Sequence, residues 1–306
     1  TANNPGTTVN ASIGLDDGSN PQTLRLEATL SGIAGLVKNG EGTLLLPTAQ
    51  NYSNGTTVNE GILLLTEAGT LGSGTATINT AGTLQIESPS AGSYSFGNTL
   101  LGTGLLQVGL AAPSDLFSFA STAGTAFEGT VELNNSTFTL LGDNTAALGN
   151  ATLRLNTGNT TNVGAGVQAV GNLHLNGSTL RFPNLPTGVI QTGNLTLDGG
   201  IIQVDSDISG ISGKPLLQQD DADTDQLLIS ATTVDGSAAN LTLQDLGGTS
   251  QGSLQSNITE NGNTVAIASY DHGLKSISDS PGNNGLFMSY RLTQLDLQTN
   301  QTLTLS

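Results

Sequence analysis

At 306 residues the chain is long enough for one large domain or two ordinary ones, and 41 glycines, no cysteine, no tryptophan and only 10% charged residues give it an unusual chemistry. Leucine, isoleucine and valine are plentiful enough to fill a core, which excludes disorder, while 4% aromatic residues suit a thin repetitive core rather than a wide globular one. A net charge of −17 with seven Lys and Arg in all excludes nucleic acid and anionic membrane surfaces as partners, and no apolar run reaches the length of a spanning helix.

The first 110 residues carry the densest strand-and-corner pattern: TLRLEATL (23–30), GTLLL (42–46), TTVNEGILLL (56–65), GTATINTAGTLQI (74–86) and GLLQVGL (104–110). Each alternates apolar and polar residues, so that one set of side chains faces inward and the other outward. Gly-Thr and Gly-Ser pairs recur at the corners, where positive backbone angles are needed. No signal peptide opens the chain, and from Thr1 it reads as an excised segment or mature fragment.

Within this region, residues 35–65 follow the rule G-L-x-K-x-G-x-G-T-L-x-L and then N-Y-x-x-G-T-T-V-x-x-G-x-L-x-L. The positions are Gly35, Leu36, Lys38, Gly40, Gly42, Thr43, Leu44 and Leu46, followed by Asn51, Tyr52, Gly55, Thr56, Val58, Gly61, Leu63 and Leu65. This resembles the passenger-associated strand repeat of bacterial autotransporters, the type V secreted proteins. The resemblance implies a β-helical passenger on the surface of a Gram-negative cell, anchored through an outer-membrane barrel that this chain does not contain.

From 111 to 200 the pattern continues in looser form, in FEGTVELNNSTFTLLG, GNATLRLNTGN, NLHLNGSTLRFPN and GNLTLDGGIIQVD, with equivalent strands roughly 20 residues apart, the spacing of a repeat architecture. No amphipathic helix longer than two turns interrupts it. A right-handed parallel β-helix accounts for the whole, with an antiparallel β-sandwich as the competing architecture. Coils of roughly 20–25 residues predict about 12–14 coils, and about 4.8 Å per coil predicts a rod on the order of 60 Å long.

The end of the chain differs. TDQLLISATTVDGSAANLTLQDL (224–246), NTVAIASYDHGLKS (263–276) and GNNGLFMSYRLTQLDLQTNQTLTLS (282–306) have longer strands. They resemble the autochaperone region that caps autotransporter passengers, through Asp225, Leu227, Ile229, Gly236, Leu241, Leu243, Tyr270, Gly273, Leu274, Gly285, Leu286, Tyr290, Leu292, Leu295 and Leu297. The expected organisation is therefore a solenoid over 1–223 and a hairpin cap over 224–306, since unpaired strand edges at a solenoid end must be covered.

Candidate chemistry is sparse. His174, between Leu173 and Leu175, points outward from a strand, and His272 in YDHGL is placed in a hairpin turn. No G-x-S-x-G elbow accompanies them, so no enzyme is expected. Asp220, Asp221, Asp223 and Asp225 in DDADTD form the one weak candidate for a metal, calcium, although the run lacks the glycine and distant glutamate of an EF-hand; otherwise no cofactor is expected. Lys38, Arg25, Arg154 and Arg181 are too scattered to hold an acidic polysaccharide, which sets a β-helix polysaccharide enzyme below the other readings.

What remains is the polar surface: Asn134, Asn135, Thr137 and Thr139, then Thr157, Asn159, Thr160, Thr161 and Asn162, read as an outward face of stacked hydrogen-bonding groups. Together with the resemblance this implies an adhesin promoting aggregation, biofilm or host attachment, its partner either another copy on a neighbouring cell or a host matrix protein or glycan. The alternative is a stalk presenting an N-terminal effector domain that this chain lacks.

Overall fold

The computed structural model describes residues 8–16, 20–87, 92–120, 126–204, 225–246, 254–260 and 263–295. Nearly all of it is strand. The only α-helix among the described residues is the four-residue turn Asp143–Ala146.

The strands stack as a parallel β-solenoid of about eight turns. Its long sheet is a column of in-register inward residues: Leu44, Leu63, Leu84, Leu106, Val131, Leu153, Leu173 and Leu195. Leu24 precedes this column and Val234 follows it. A second side stacks Thr8–Ser12, Gly35–Asn39 and residues 56–58, 76–78 and 99–102. Later coils supply the same side from Val167–Val170 and residues 189–192 and 229–231. A third side begins at Ser93–Phe96 and runs through Leu116–Phe119, Thr137–Leu140, Thr160–Val163 and residues 179–182 and 200–204 to Leu241–Asp245.

Parallel pairing places like residues over like, so the core is a set of aliphatic columns whose members are almost wholly buried. Each buried Leu or Ile contributes about 1.5–3 kcal/mol of apolar transfer energy. Most of the scarce phenylalanines gather on the third side. Phe117 lies between Phe119 (5.1 Å, edge-on) and Phe138 (6.1 Å, stacked), and Phe96 meets Phe119 edge-on.

The corners explain the glycines of the 35–65 repeat. Gly61 has φ +67°, and a Cβ there would lie 2.4 Å from the carbonyl oxygen of Gly40, one coil earlier. The lysine of the repeat is internal. Lys38 occupies the inward column between Ala11 and Val58 and is fully buried. Its ammonium donates to the carbonyls of Asn39, Gly40 and Glu60. Three carbonyl dipoles replace the water that burial removes.

The chain makes fewer coils than the expected 12–14 because its last part does not stack. Parallel pairing continues past the expected boundary at 224, through Gln226–Gly236 and Leu241–Asp245. Antiparallel structure then takes over: Leu254–Glu260 pairs with Asn263–Ile277, which pairs with Gly285–Leu295. The last of these also pairs antiparallel with residues 226–230. Leu286 and Met288 are fully buried there, closing that side of the solenoid. At the opposite end Leu24 is 50% exposed and Val9 40%, whereas Leu44 and Leu36, the next members of their columns, are 1% and 2% exposed. One end is capped and the other is open among the described residues.

Candidate functional site

The outer face of the long sheet is a regular surface that runs from coil to coil. Strict alternation fixes what it carries. In Thr43–Leu46, Leu44 and Leu46 point in, so Thr43 and Leu45 point out. The same phase sends out Ile62 and Leu64, then Thr83 and Gln85, then Leu105 and Gln107. Three more coils present Thr130 and Glu132, Thr152 and Arg154, and Asn172 and His174. Two outward rows therefore run along the solenoid. One reads Thr43, Ile62, Thr83, Leu105, Thr130, Thr152, Asn172; the other reads Leu45, Leu64, Gln85, Gln107, Glu132, Arg154, His174.

This face divides in two. Its first coils hold a half-buried apolar stripe of Leu45, Ile62, Leu64 and Leu105, and its later coils hold a charged network. Within the network Glu132 accepts from Gln107 Nε2 at 3.2 Å and from the Asn156 amide. Arg154 lies with Nη1 4.0 Å from Glu132 and donates from Nε to His174 Nδ1 at 3.2 Å. His174 Nε2 meets Asp198 Oδ2 at 2.6 Å. Because Nδ1 accepts from a guanidinium, the ring proton belongs on Nε2, where it is donated to Asp198. Both ring nitrogens are engaged, so this histidine has no free lone pair with which to activate a nucleophile.

Beside this row the coils are tied by asparagine ladders. Asn176 donates to Asn156, and Asn156 to Asn134, each at 2.8 Å. An equivalent ladder links Asn79 to Asn59 and Asn59 to Asn39 at 2.7 Å. The middle amide of each ladder, Asn156 or Asn59, donates to one neighbouring coil and accepts from the other, which suits the repeat of a parallel stack.

The residues expected to form one polar face divide among four places. Asn134 stands on the long sheet, and Asn135 turns the corner with φ 41°. Thr137, Thr139, Thr160 and Asn162 do form an outward ladder, on the third side, with Thr137 beside Thr160 and Thr139 beside Asn162. Thr157 is exposed at a corner. Asn159 and Thr161, expected outside, are 1% and 0% exposed. The Asn159 amide donates to the Ser136 carbonyl and hydroxyl, and Thr161 donates to Asn159 Oδ1, so this pair satisfies itself inside the corner.

Of the acidic candidates, Asp220, Asp221 and Asp223 lie outside the described residues. Asp225 has a fully buried carboxylate held by Lys275 Nζ at 3.3 Å. His174 is outward, as its neighbours require. His272, expected in a turn, lies instead within the strand Asn263–Ile277 opposite Tyr290.

The outward leucines escaped the sequence reading although the signal was present. A triplet of leucines in an alternating strand cannot all face inward, and the middle residue of 44–46 and of 63–65 must be surface.

No protein-family profile matches the chain, and no solved structure matches it. It is similar to the uncharacterized lipoprotein YdeK of Escherichia coli K12, 35% identical over 309 residues that cover 89% of this chain and 23% of that protein. It is also similar to the uncharacterized protein YuaQ of the same organism, 34% identical over 244 residues that cover 73% of this chain and 17% of that protein. The chain thus spans about a quarter or less of the curated relatives it matches.

Proposed function

We propose that this chain is part of the β-helical rod of an autotransporter passenger, a cell-surface adhesin that promotes aggregation, biofilm formation or attachment through the outer face of its long sheet. The observation that carries this reading is that face: a regular surface of outward side chains, continuous over many coils of the parallel stack. Such a surface meets another extended surface through many weak contacts, and many copies on one cell multiply them by avidity. The repeat at 35–65 and the antiparallel closure of one end support the autotransporter part of the reading. Similarity to a protein described as a lipoprotein supports a place in the cell envelope.

The test is display on bacteria that do not otherwise adhere, with settling of the suspension followed across a salt series. Two surfaces of charge −17 repel, so homotypic settling grows as salt screens them. A basic host ligand behaves oppositely, its binding to displayed cells weakening as salt rises. Neither settling nor ligand binding at any salt would sink the adhesin reading.

One observation favours a second reading, a stalk. Most of the length of both relatives lies outside the segment matched here. If activity resides there, displaying this segment alone produces no adhesion while the complete protein does.

A further inference from the structure

His174 holds its two neighbours in a way that only the neutral ring allows. Its Nδ1 accepts from Arg154 Nε at 3.2 Å, one coil before, and its Nε2 donates to Asp198 at 2.6 Å, one coil after. One side chain thus joins Thr152–Asn156, Asn172–Phe182 and Val189–Val204 across three successive coils. We propose that His174 is a proton-operated switch in the outer face of the long sheet: on taking up a proton it releases Arg154 to Glu132, and the face responds to acid. The proposal rests on the adhesin reading and adds a regulator to it.

The switch follows from donors and acceptors. Imidazole is the ordinary side chain that changes charge between about pH 5 and 8. A proton added to Nδ1 turns the acceptor of the Arg154 bond into a donor. Imidazolium and guanidinium then face each other with hydrogens and with like charge, and the contact breaks. The bond to Asp198 strengthens, because its donor is now charged.

Arg154 has a second partner within reach. Its Nη1 lies 4.0 Å from Glu132 Oε1, too far for a hydrogen bond and near enough to close when the guanidinium turns. Glu132 is only 14% exposed and accepts from the Gln107 and Asn156 amides. Asn156 is also the middle rung of the asparagine ladder, so a new Arg154 bond to Glu132 competes with that rung. One proton therefore rearranges the contacts from Gln107 to Asp198.

The charged groups around the ring are Arg154 and, beyond it, Glu132 on the preceding coils, with Asp198 and then the exposed Asp235 on the following ones. Thr196 from the next coil, with Asn172 and Asn176 from its own strand, completes the surroundings and does not titrate. Glu132, Arg154 and Asp198 together carry one negative charge, which the protonated ring cancels. At 18% exposure the His174 side chain is open to protons from solvent.

The test is NMR of the intact chain, following the His174 ring and the Arg154 Nε–H signal from about pH 8 to about pH 5.5. The His174→Gln variant identifies the ring against His272, the other histidine, by the loss of its signal. Ring and guanidinium signals should move with one midpoint. Arg154→Met, which removes the donor to Nδ1, should raise the midpoint of the ring, and Asp198→Asn, which removes the charge beside Nε2, should lower it. An Arg154 signal that stays fixed while the ring titrates would overturn the switch, and so would shifts of the same sign in the two variants.

Settling of displayed cells is scored separately. Each copy loses one negative charge on this face, so settling should grow about twofold or more from pH 8 to pH 5.5, and His174→Gln should abolish the growth. Cells that neither settle nor bind a host ligand, with the NMR coupling intact, overturn the adhesin reading and keep the switch. Settling that is equal at both pH values, or growth that survives His174→Gln, overturns the control of adhesion by His174 and keeps the adhesin.

Discussion

Lys38 donates across a coil boundary to the carbonyl of Glu60 at 3.0 Å, from a side chain that has no exposed surface. The same ammonium holds the Asn39 and Gly40 carbonyls, so one lysine ties two successive corners from inside. Burial depresses its pKa below the ordinary lysine value, and the nearby Glu60 carboxylate acts in the opposite direction. Lys38→Met keeps the length of the side chain and removes the donors, leaving three carbonyls to find other partners. The expected cost is about 2–4 kcal/mol of unfolding free energy, measured by urea denaturation. A variant as stable as the wild type would show that the charge contributes nothing net.

The Gly40–Gly61 stack gives a sharper test of the repeat. Gly61→Ala meets both a positive φ and a carbonyl oxygen at 2.4 Å, so the corner must move. A loss of about 2 kcal/mol or more is expected. Gly14, which has open space around its Cβ position and no positive φ, is the control and should lose little on the same change.

Alkaline pH probes the aromatic side. Burial beside Phe117 pushes the Tyr94 hydroxyl up to about 12. Unfolded chains lose that proton near the ordinary tyrosine value of about 10, while the folded chain keeps it, so the folded state binds more protons in between. Stability is then fully present below about pH 10 and falls as pH rises through about 12. Tyr94→Phe should flatten this fall. Tyr52, also raised by burial, is left to account for part of the remainder. Equal alkaline slopes in wild type and Tyr94→Phe would contradict the assignment.

The cap can be removed. Deleting residues 246–306 takes away the strand Gly285–Leu295 and uncovers Leu228 and Ile229, both fully buried in the intact chain. Open parallel edges and exposed core columns favour association between chains. The truncated chain should aggregate or refold slowly, as followed by light scattering during dilution from denaturant. A truncated rod that refolds reversibly and stays monomeric would show that this strand is no cap.

Much of this architecture was legible in the sequence because parallel stacking leaves a simple trace. Alternation in 56–65 and 74–86 gives the strands, and glycines such as Gly40 and Gly61 mark corners where a side chain would strike the coil before. The extent of the solenoid was less legible. Residues 226–245 stack in parallel like earlier coils, but their wider alternation looks like a hairpin, because residues 226–230 serve both as a coil and as a base for the antiparallel cap.

The site was only half legible. Residue type alone puts polar side chains outside, yet Asn159 and Thr161 face inward and satisfy each other there. Leu45 and Leu64 face outward because the alternation of their strands places Leu44, Leu46, Leu63 and Leu65 inside. In both cases the strand phase decides and the residue type misleads. Contacts such as Arg154–His174–Asp198 join residues 20 and 24 positions apart, and no local motif announces them.

The outer face of the long sheet is proposed to carry adhesion. Leu64→Lys puts a charge at the middle of that face without touching the core, and a fold check by circular dichroism accompanies it. Cells displaying the wild-type chain and cells displaying this variant should be compared for settling at one salt concentration where the wild type settles. Loss of settling with an unchanged β spectrum is the predicted result. Settling of the variant at the wild-type rate, with the fold intact, would contradict the account.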